Sequence, residues 1–252
     1  MAQKTALVLK DNAAVAMDSS LVGSSGPAIL ETWFPGQEDG NIVADVLFGR
    51  VNPSGKLPVT FPVKGMGFLD SASTTQYPGT VSGTTQSVTY SEMLNMGYRW
   101  YDANASGSCT VASGGANPCV AFPFGYGLSY TSFSLGTPKL STSGTTTSVS
   151  VTVTNTGSKT GAEVVQVYLA LPSSAASYGA TQPPKRLVGF QRVELAAGAS
   201  QTVTVTFDSA ASNHPMSVWS KSSNTWVKPS GSFTVYVGNS SSLRDLTNVG
   251  TL

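Results

Sequence analysis

The sequence predicts a mainly β protein, in which an antiparallel β-sandwich follows a truncated α/β segment of strand, helix and strand. Three observations carry that prediction. Beyond about Ser134, short runs alternate apolar and polar residues, as half-buried strands do. Between Pro27 and Gly49 the apolar residues instead recur at helical spacing. The connecting stretch combines a long Gly/Ser/Thr-rich segment with clustered aromatics and glycines.

Taken in order, "KTALVL" reads as a strand over Thr5–Leu9. Lys10 and Asp11 interrupt its apolar run, so it is no export signal; any such signal lies upstream or was removed. Ile42, Val43, Val46 and Leu47 share one helical face, and Gly49 sits where a left-handed cap would close the helix. "NPSG" at 52–55 has the signature of a type I turn, and "KLPVTFP" alternates between prolines as an edge strand does. Val63–Tyr90 lacks a sustained period and exceeds the usual length of a loop, so it reads as a functional loop or a strap over a neighbour. "MGYRWYDA" and "VAFPFGYGLSYTSF" place rings beside glycines, as at a domain junction where backbone packs on aromatics.

In the sandwich, Val149, Val151 and Val153 face one way, as do Val203, Val205 and Phe207, and Phe233, Val235 and Val237. "AEVVQVYLAL" and "KRLVGFQRVEL" add two strands and "SVWSKSSNTWV" a hairpin, giving roughly seven strands. Domains are therefore expected at 1–62 (partial α/β), 63–133 (strap and aromatic junction) and 134–252 (sandwich).

Composition narrows the function. Charged residues make up 11% of the 252-residue chain and the net charge is +1, with no Lys/Arg cluster. A surface built from Ser, Thr, Asn and Gly suits neutral ligands and not a phosphate backbone. No apolar run reaches the length of a membrane span. Cys109 and Cys119 flank a loop without a hydrophobic anchor. A disulfide there would remove ~3 kcal/mol of unfolded-state entropy and point to an oxidising compartment. Two free thiols, or half a metal site, are the competing readings; the single histidine, His214, is remote in sequence and disfavours the metal. Neither metal nor cofactor is expected. The sequons at Asn104 and Asn239 are compatible with secretion.

"GPAILETWFPGQEDGNIVADVLFGRVNPSGKLPVTFP" resembles the late part of the α/β-sandwich domain of family 3 glycoside hydrolases, the β-glucosidase-like enzymes. "MGYRWYDA" and "PFGYGLSYTSF" are similar to the family's next two signatures. "PPKRLVGFQRVEL", "VWSKSSNTWV" and "SGSFTVYVGNSS" are similar to its fibronectin type III-like domain. The order is collinear over nearly the whole chain. The chain departs from the family pattern at Asp39, where Gly is usual, and at Asn12–Ala14, where Gly-Gly-Pro is usual. The resemblance implies a secreted protein acting, when intact, on a β-linked oligosaccharide or aryl glucoside. It also implies that the nucleophilic aspartate and the general-acid glutamate precede residue 1, leaving no catalytic residue here.

The acids present read structurally. Glu38 and Asp39 are adjacent in a helix's first turn, where they cap and complement the dipole and cannot flank a sugar from two sides. Asp102 and Tyr101 are candidates for lining a sugar site, with a hydrogen-bonding role at the junction preferred for Asp102. Trp219 and Trp226, across the hairpin, are candidates for stacking on pyranose rings, with core or interface packing preferred. Trp33 and Trp100 are expected at interfaces. A Ser/His/Asp triad would need His214, which reads as a surface-loop residue, and "KTG" at 159–161 reads as a hairpin turn. A partial sandwich domain leaves Val8, Leu9, Ile42, Val46 and Leu47 incompletely covered, so self-association or a missing N-terminal half is expected.

Overall fold

The computed structural model describes residues 5–23, 25–105 and 109–252. Ser24 in "GSSGP", and Ser106 of the first sequon, fall outside the described residues. The strands are β1 (Ala6–Leu9), β2 (Ala28–Glu31), β3 (Phe61–Pro62), β4 (Thr80–Ser82), β5 (Thr85–Ser87), β6 (Val120–Phe122), β7 (Phe133–Leu135) and β8 (Lys139–Ser143). They continue with β9 (Thr146–Asn155), β10 (Gly161–Ala170), β11 (Arg186–Leu195), β12 (Ser200–Asp208), β13 (Val218–Ser220), β14 (Thr225–Val227), β15 (Thr234–Gly238) and β16 (Leu246–Thr251). Among the described residues the α-helices α1 (Asp39–Leu47), α2 (Phe68–Ser71) and α3 (Tyr98–Ala103) lie before the sandwich.

Two sheets form that sandwich, ordered β11-β10-β15-β16 and β12-β9-β7, with β8 also pairing β9. Alternation along β9 and β12 sends Val149, Val151, Val153, Val203, Val205 and Phe207 inward to meet Val165, Val167, Leu169, Val235 and Val237. All nine residues expected to face the core are buried. β7 and β8 are one edge interrupted at Gly136–Pro138: from the Leu135–Val153 pair to the Lys139–Ser150 pair the edge advances four residues against three. That one-residue bulge twists an exposed edge away from further pairing. Seven strand positions result, but β16 and the β7–β8 edge stand where the sequence reading counts the "SVWSKSSNTWV" hairpin, whose two strands pair only with each other.

Four details of the sequence reading change. Ala28–Glu31, placed in the helix, is a strand parallel to β1, pairing Ala6 with Ala28 through Leu9 with Glu31. The helix proper begins at Asp39 and ends where Gly49 takes φ +73°, the left-handed cap. "KLPVTFP" contributes only Phe61–Pro62, paired with β6 and not with the parallel strands. "NPSG" makes no turn; the Asn52 side chain is used instead to reach the sandwich. Finally, the "KTG" segment is no hairpin turn, because β9 and β10 belong to different sheets and it carries the chain across the sandwich. Asn155, fully buried, holds that crossing by donating to the Lys159 and Leu195 carbonyls and accepting from the Thr131 hydroxyl.

The 63–90 segment is mostly exposed and carries α2 and the β4–β5 hairpin. Cys109 and Cys119 form a disulfide with Cα atoms 5.2 Å apart. No described helix is long and apolar enough to cross a membrane.

Candidate functional site

The first half of the chain is fastened to the sandwich through one face of β10. Most of this strand is buried on both sides, unlike β9 and β12. Its second face carries Gln166 and Tyr168. The Gln166 amide donates to the Gly125 and Asn239 carbonyls at 2.9 Å each and accepts from the Tyr168 hydroxyl at 2.7 Å. Gly125, at φ +79°, has no room for a side chain: a Cβ there would lie 2.1 Å from the Gln166 amide oxygen. The ring of Tyr98 stacks on Phe124 (centroids 4.8 Å apart) and meets Tyr168 edge-on (5.9 Å), while its hydroxyl accepts from the Leu187 N–H. Asn52 completes the clasp, donating to the Thr160 carbonyl and accepting from the Ser129 hydroxyl and the Tyr130 N–H.

Two ion pairs are embedded here. Lys185 Nζ lies 2.6 Å from Asp102 Oδ2, with the lysine side chain only 3% exposed. Lys56 Nζ lies 2.6 Å from Glu163 Oε1, both side chains nearly covered. Burial pushes the Lys185 ammonium below its ordinary pKa, and Asp102 pulls it back. Burial likewise lifts the Asp102 carboxyl, against the pull of Lys185. Burial also raises the Tyr101 and Tyr168 hydroxyls.

Asp102, Tyr101 and Lys185 line a cavity of about 220 Å³ with Thr60, Asn117, Tyr236 and Arg244. Tyr101 is largely inside the protein, its hydroxyl accepting from the Phe68 N–H at 3.4 Å. A second cavity of about 250 Å³ is lined by Gln76, Glu92, Asn95, Trp100, Asn104 and Thr181. Each of these two cavities presents one carboxyl group, Asp102 in the first and Glu92 in the second. Retaining glycoside hydrolysis places two carboxyls about 5–5.5 Å apart across the scissile bond. Neither cavity is built for it.

Glu38, Asp39 and Asp45 are committed locally. Asp39 stands in the first turn of α1 and is ion-paired to Lys10, and Glu38 accepts from Asn41. Asp45 pairs with Arg50. No group of three or more metal-ligating side chains occurs among the described residues. Trp33 packs on buried Phe61, and Trp100 on Phe68 and Tyr101, contacts that stay within 1–62 and within 63–133 respectively.

Trp219 and Trp226 are brought together. They are directly paired across the β13–β14 hairpin, edge to face with centroids 5.6 Å apart. Core or interface packing is the reading their sequence favours; in the structure they are 44% and 46% exposed. His214 stacks its ring on Trp226 at 4.5 Å, which engages the histidine a serine-hydrolase triad would require. Sequence reasoning missed Lys185 and Gln166 as junction residues; the departure of "AEVVQVYLAL" from alternation was the available signal.

The family model described as "Glycosyl hydrolase family 3 C-terminal domain" matches residues 1–130, and that of the "Fibronectin type III-like domain" matches 163–241. Beta-glucosidase B of Emericella nidulans is 40% identical over 230 residues, covering 87% of this chain and 24% of that protein. An exo-alpha-(1->6)-L-arabinopyranosidase of Bifidobacterium breve is 37% identical over 251 residues, covering 99% of this chain and 29% of its own length. The crystal structure of DesR, a beta-glucosidase from Streptomyces venezuelae in complex with D-glucose, superposes with a TM-score of 0.79 at 35% identity, over 99% of this chain and 29% of that one. The chain thus spans about a quarter to a third of the length of these relatives. It belongs to glycosyl hydrolase family 3, matching the C-terminal part of its β-glucosidases.

Proposed function

We propose that this chain is the C-terminal scaffold of a β-glucosidase-type retaining glycoside hydrolase, and that the carboxyl pair performing the chemistry is supplied by other segments. One observation carries the reading: 99% of the chain superposes on 29% of a β-glucosidase, with a TM-score of 0.79. The single carboxyl in each cavity supports the second clause. Asp102, tied to Lys185, holds α3 against the sandwich in place of touching sugar. The units are 1–62, 63–133 and 134–252, with the middle one forming most of the clasp and Asn52 and Lys56 of the first completing it.

The apolar face of α1 supports a partner. Ile42 and Leu47 of α1 are exposed, as are Phe34 (75%) ahead of the helix and Phe48 (81%) at its C-cap. In the intact enzyme this face packs against the additional chain that the relatives carry, which would recover ~1.5–3 kcal/mol per large side chain. The Cys109–Cys119 disulfide supports an oxidising, extracellular setting. Relatives named for glucosidase and for arabinopyranosidase activity both share this portion, which supports placing glycoside selection elsewhere.

A chimera tests the proposal. This chain is exchanged for the matching C-terminal portion of DesR, and hydrolysis of an aryl β-glucoside is measured. The expected result is a folded chimera with retained turnover. A folded chimera without turnover contradicts the scaffold reading.

A further inference from the structure

The β13–β14 hairpin belongs to neither main sheet and carries an aromatic group that the junction does not use. Trp219 alternates with buried neighbours, Val218 and Ser220, so its ring projects away from the sandwich. Trp226, directly opposite, projects on the same side. Three rings form a short series: His214 lies nearly parallel to Trp226 (23°), and Trp219 stands nearly perpendicular to it (77°).

This series is asymmetric. Trp226 has ring partners on two sides, whereas Trp219 has one. If the Trp219 edge meets the Trp226 face, both Trp219 faces are free of ring partners; if the reverse holds, one is. Either way Trp219, 44% exposed, keeps at least one face free of ring partners, and Trp226 with His214 forms its support. Backbone strain marks the same place. Four described non-glycine residues adopt positive φ, and two of them, His214 (+47°) and Asn224 (+50°), position this series. Strained residues of this kind persist where the surroundings impose them and cluster at functional sites.

The rim identifies the ligand chemistry. Ser222, Ser223, Asn224 and Thr225, exposed with Lys221 at the hairpin's tip, form a hydroxyl and amide border, the two serine hydroxyls tied to the inward-facing Ser220. An indole face next to hydroxyl and amide groups complements a pyranose, whose C–H face is apolar and whose edge carries hydroxyls. We propose that Trp219, held by Trp226 and His214, is a stacking subsite for one pyranose ring of a neutral β-linked oligosaccharide. The choice of a glucose-based ligand rests on the glycosidase reading above; the stacking site itself rests on the hairpin.

The test titrates cellohexaose and laminarihexaose into the full chain, following heat and tryptophan fluorescence. Saturable binding is expected, weakened at least tenfold by Trp219→Ala and largely retained by Trp219→Tyr, with His214→Ala in between. Thermal melts accompany each variant, since a purely structural pair would lower the melting temperature with no saturable sugar response. Should Trp219→Ala fail to fold, the Tyr variant and the His214 variant carry the comparison. No saturation by either sugar, or binding unchanged in a folded Trp219→Ala, overturns the proposal. Binding of mannohexaose in preference to both glucose oligomers keeps the stacking site and contradicts the glucoside reading.

Discussion

Lys185→Ala destabilises the chain by roughly 3–5 kcal/mol, because it leaves the Asp102 carboxylate buried without a counter-charge. The pair is close (2.6 Å) and the two side chains are only 3% and 19% exposed, so solvent does little to compensate. The pH dependence of the variant has a fixed sign. Burial already lifts the Asp102 carboxyl above its ordinary value, and loss of the lysine removes the opposing pull. The folded state then holds a proton that the unfolded state releases. The variant is therefore least impaired below the ordinary carboxylate pKa and loses stability as pH rises through the lifted value. Urea denaturation at pH 4 and pH 7 reads this directly. The double variant Lys185→Met with Asp102→Leu is expected near the parent's stability, since apolar replacement of a buried pair is often neutral. A Lys185→Ala loss below about 1 kcal/mol would mean that the pair is solvated, as surface pairs are.

Tyr168→Ala has an effect of the same size for a different reason. The ring is fully buried, and it joins Tyr98 on α3 to the Gln166 network on β10. Truncation removes a large apolar body and opens a cavity, at ~3–5 kcal/mol for aromatic-to-alanine changes. Tyr168→Phe separates the components. It keeps the ring but leaves the Gln166 amide oxygen without the hydroxyl that donates to it, at ~1–3 kcal/mol. Denaturation midpoints of the two variants give the ratio. A Phe variant equal to the parent would show that the hydroxyl bond contributes nothing net.

The parts of the fold that were legible share a physical cause. Val149, Val151 and Val153 alternate because the outer side of β9 faces water, so the pattern is written residue by residue. Gly49 was legible because its cap demands positive φ. β2 was not: "AILE" is too short for periodicity to separate strand from helix, and only pairing with β1 decides it. The "KTG" crossing resembled a hairpin turn because turn chemistry is local, while the assignment of β9 and β10 to separate sheets is not. The candidate sites divide the same way. Asp102 was visible as a junction residue, but its partner lies 83 residues on, at the head of a run that reads only as a sandwich strand. For Trp219 and Trp226 the hairpin was legible, whereas their exposure depends on what the rest of the chain leaves uncovered.

Hydrolysis of an aryl β-glucoside by the purified 252-residue chain, with its mass in solution determined alongside, tests most directly whether the chemistry resides here. The account predicts no turnover above the uncatalysed rate, in whatever assembly the exposed α1 face produces. Saturable turnover abolished by Asp102→Asn or Glu38→Gln would contradict it.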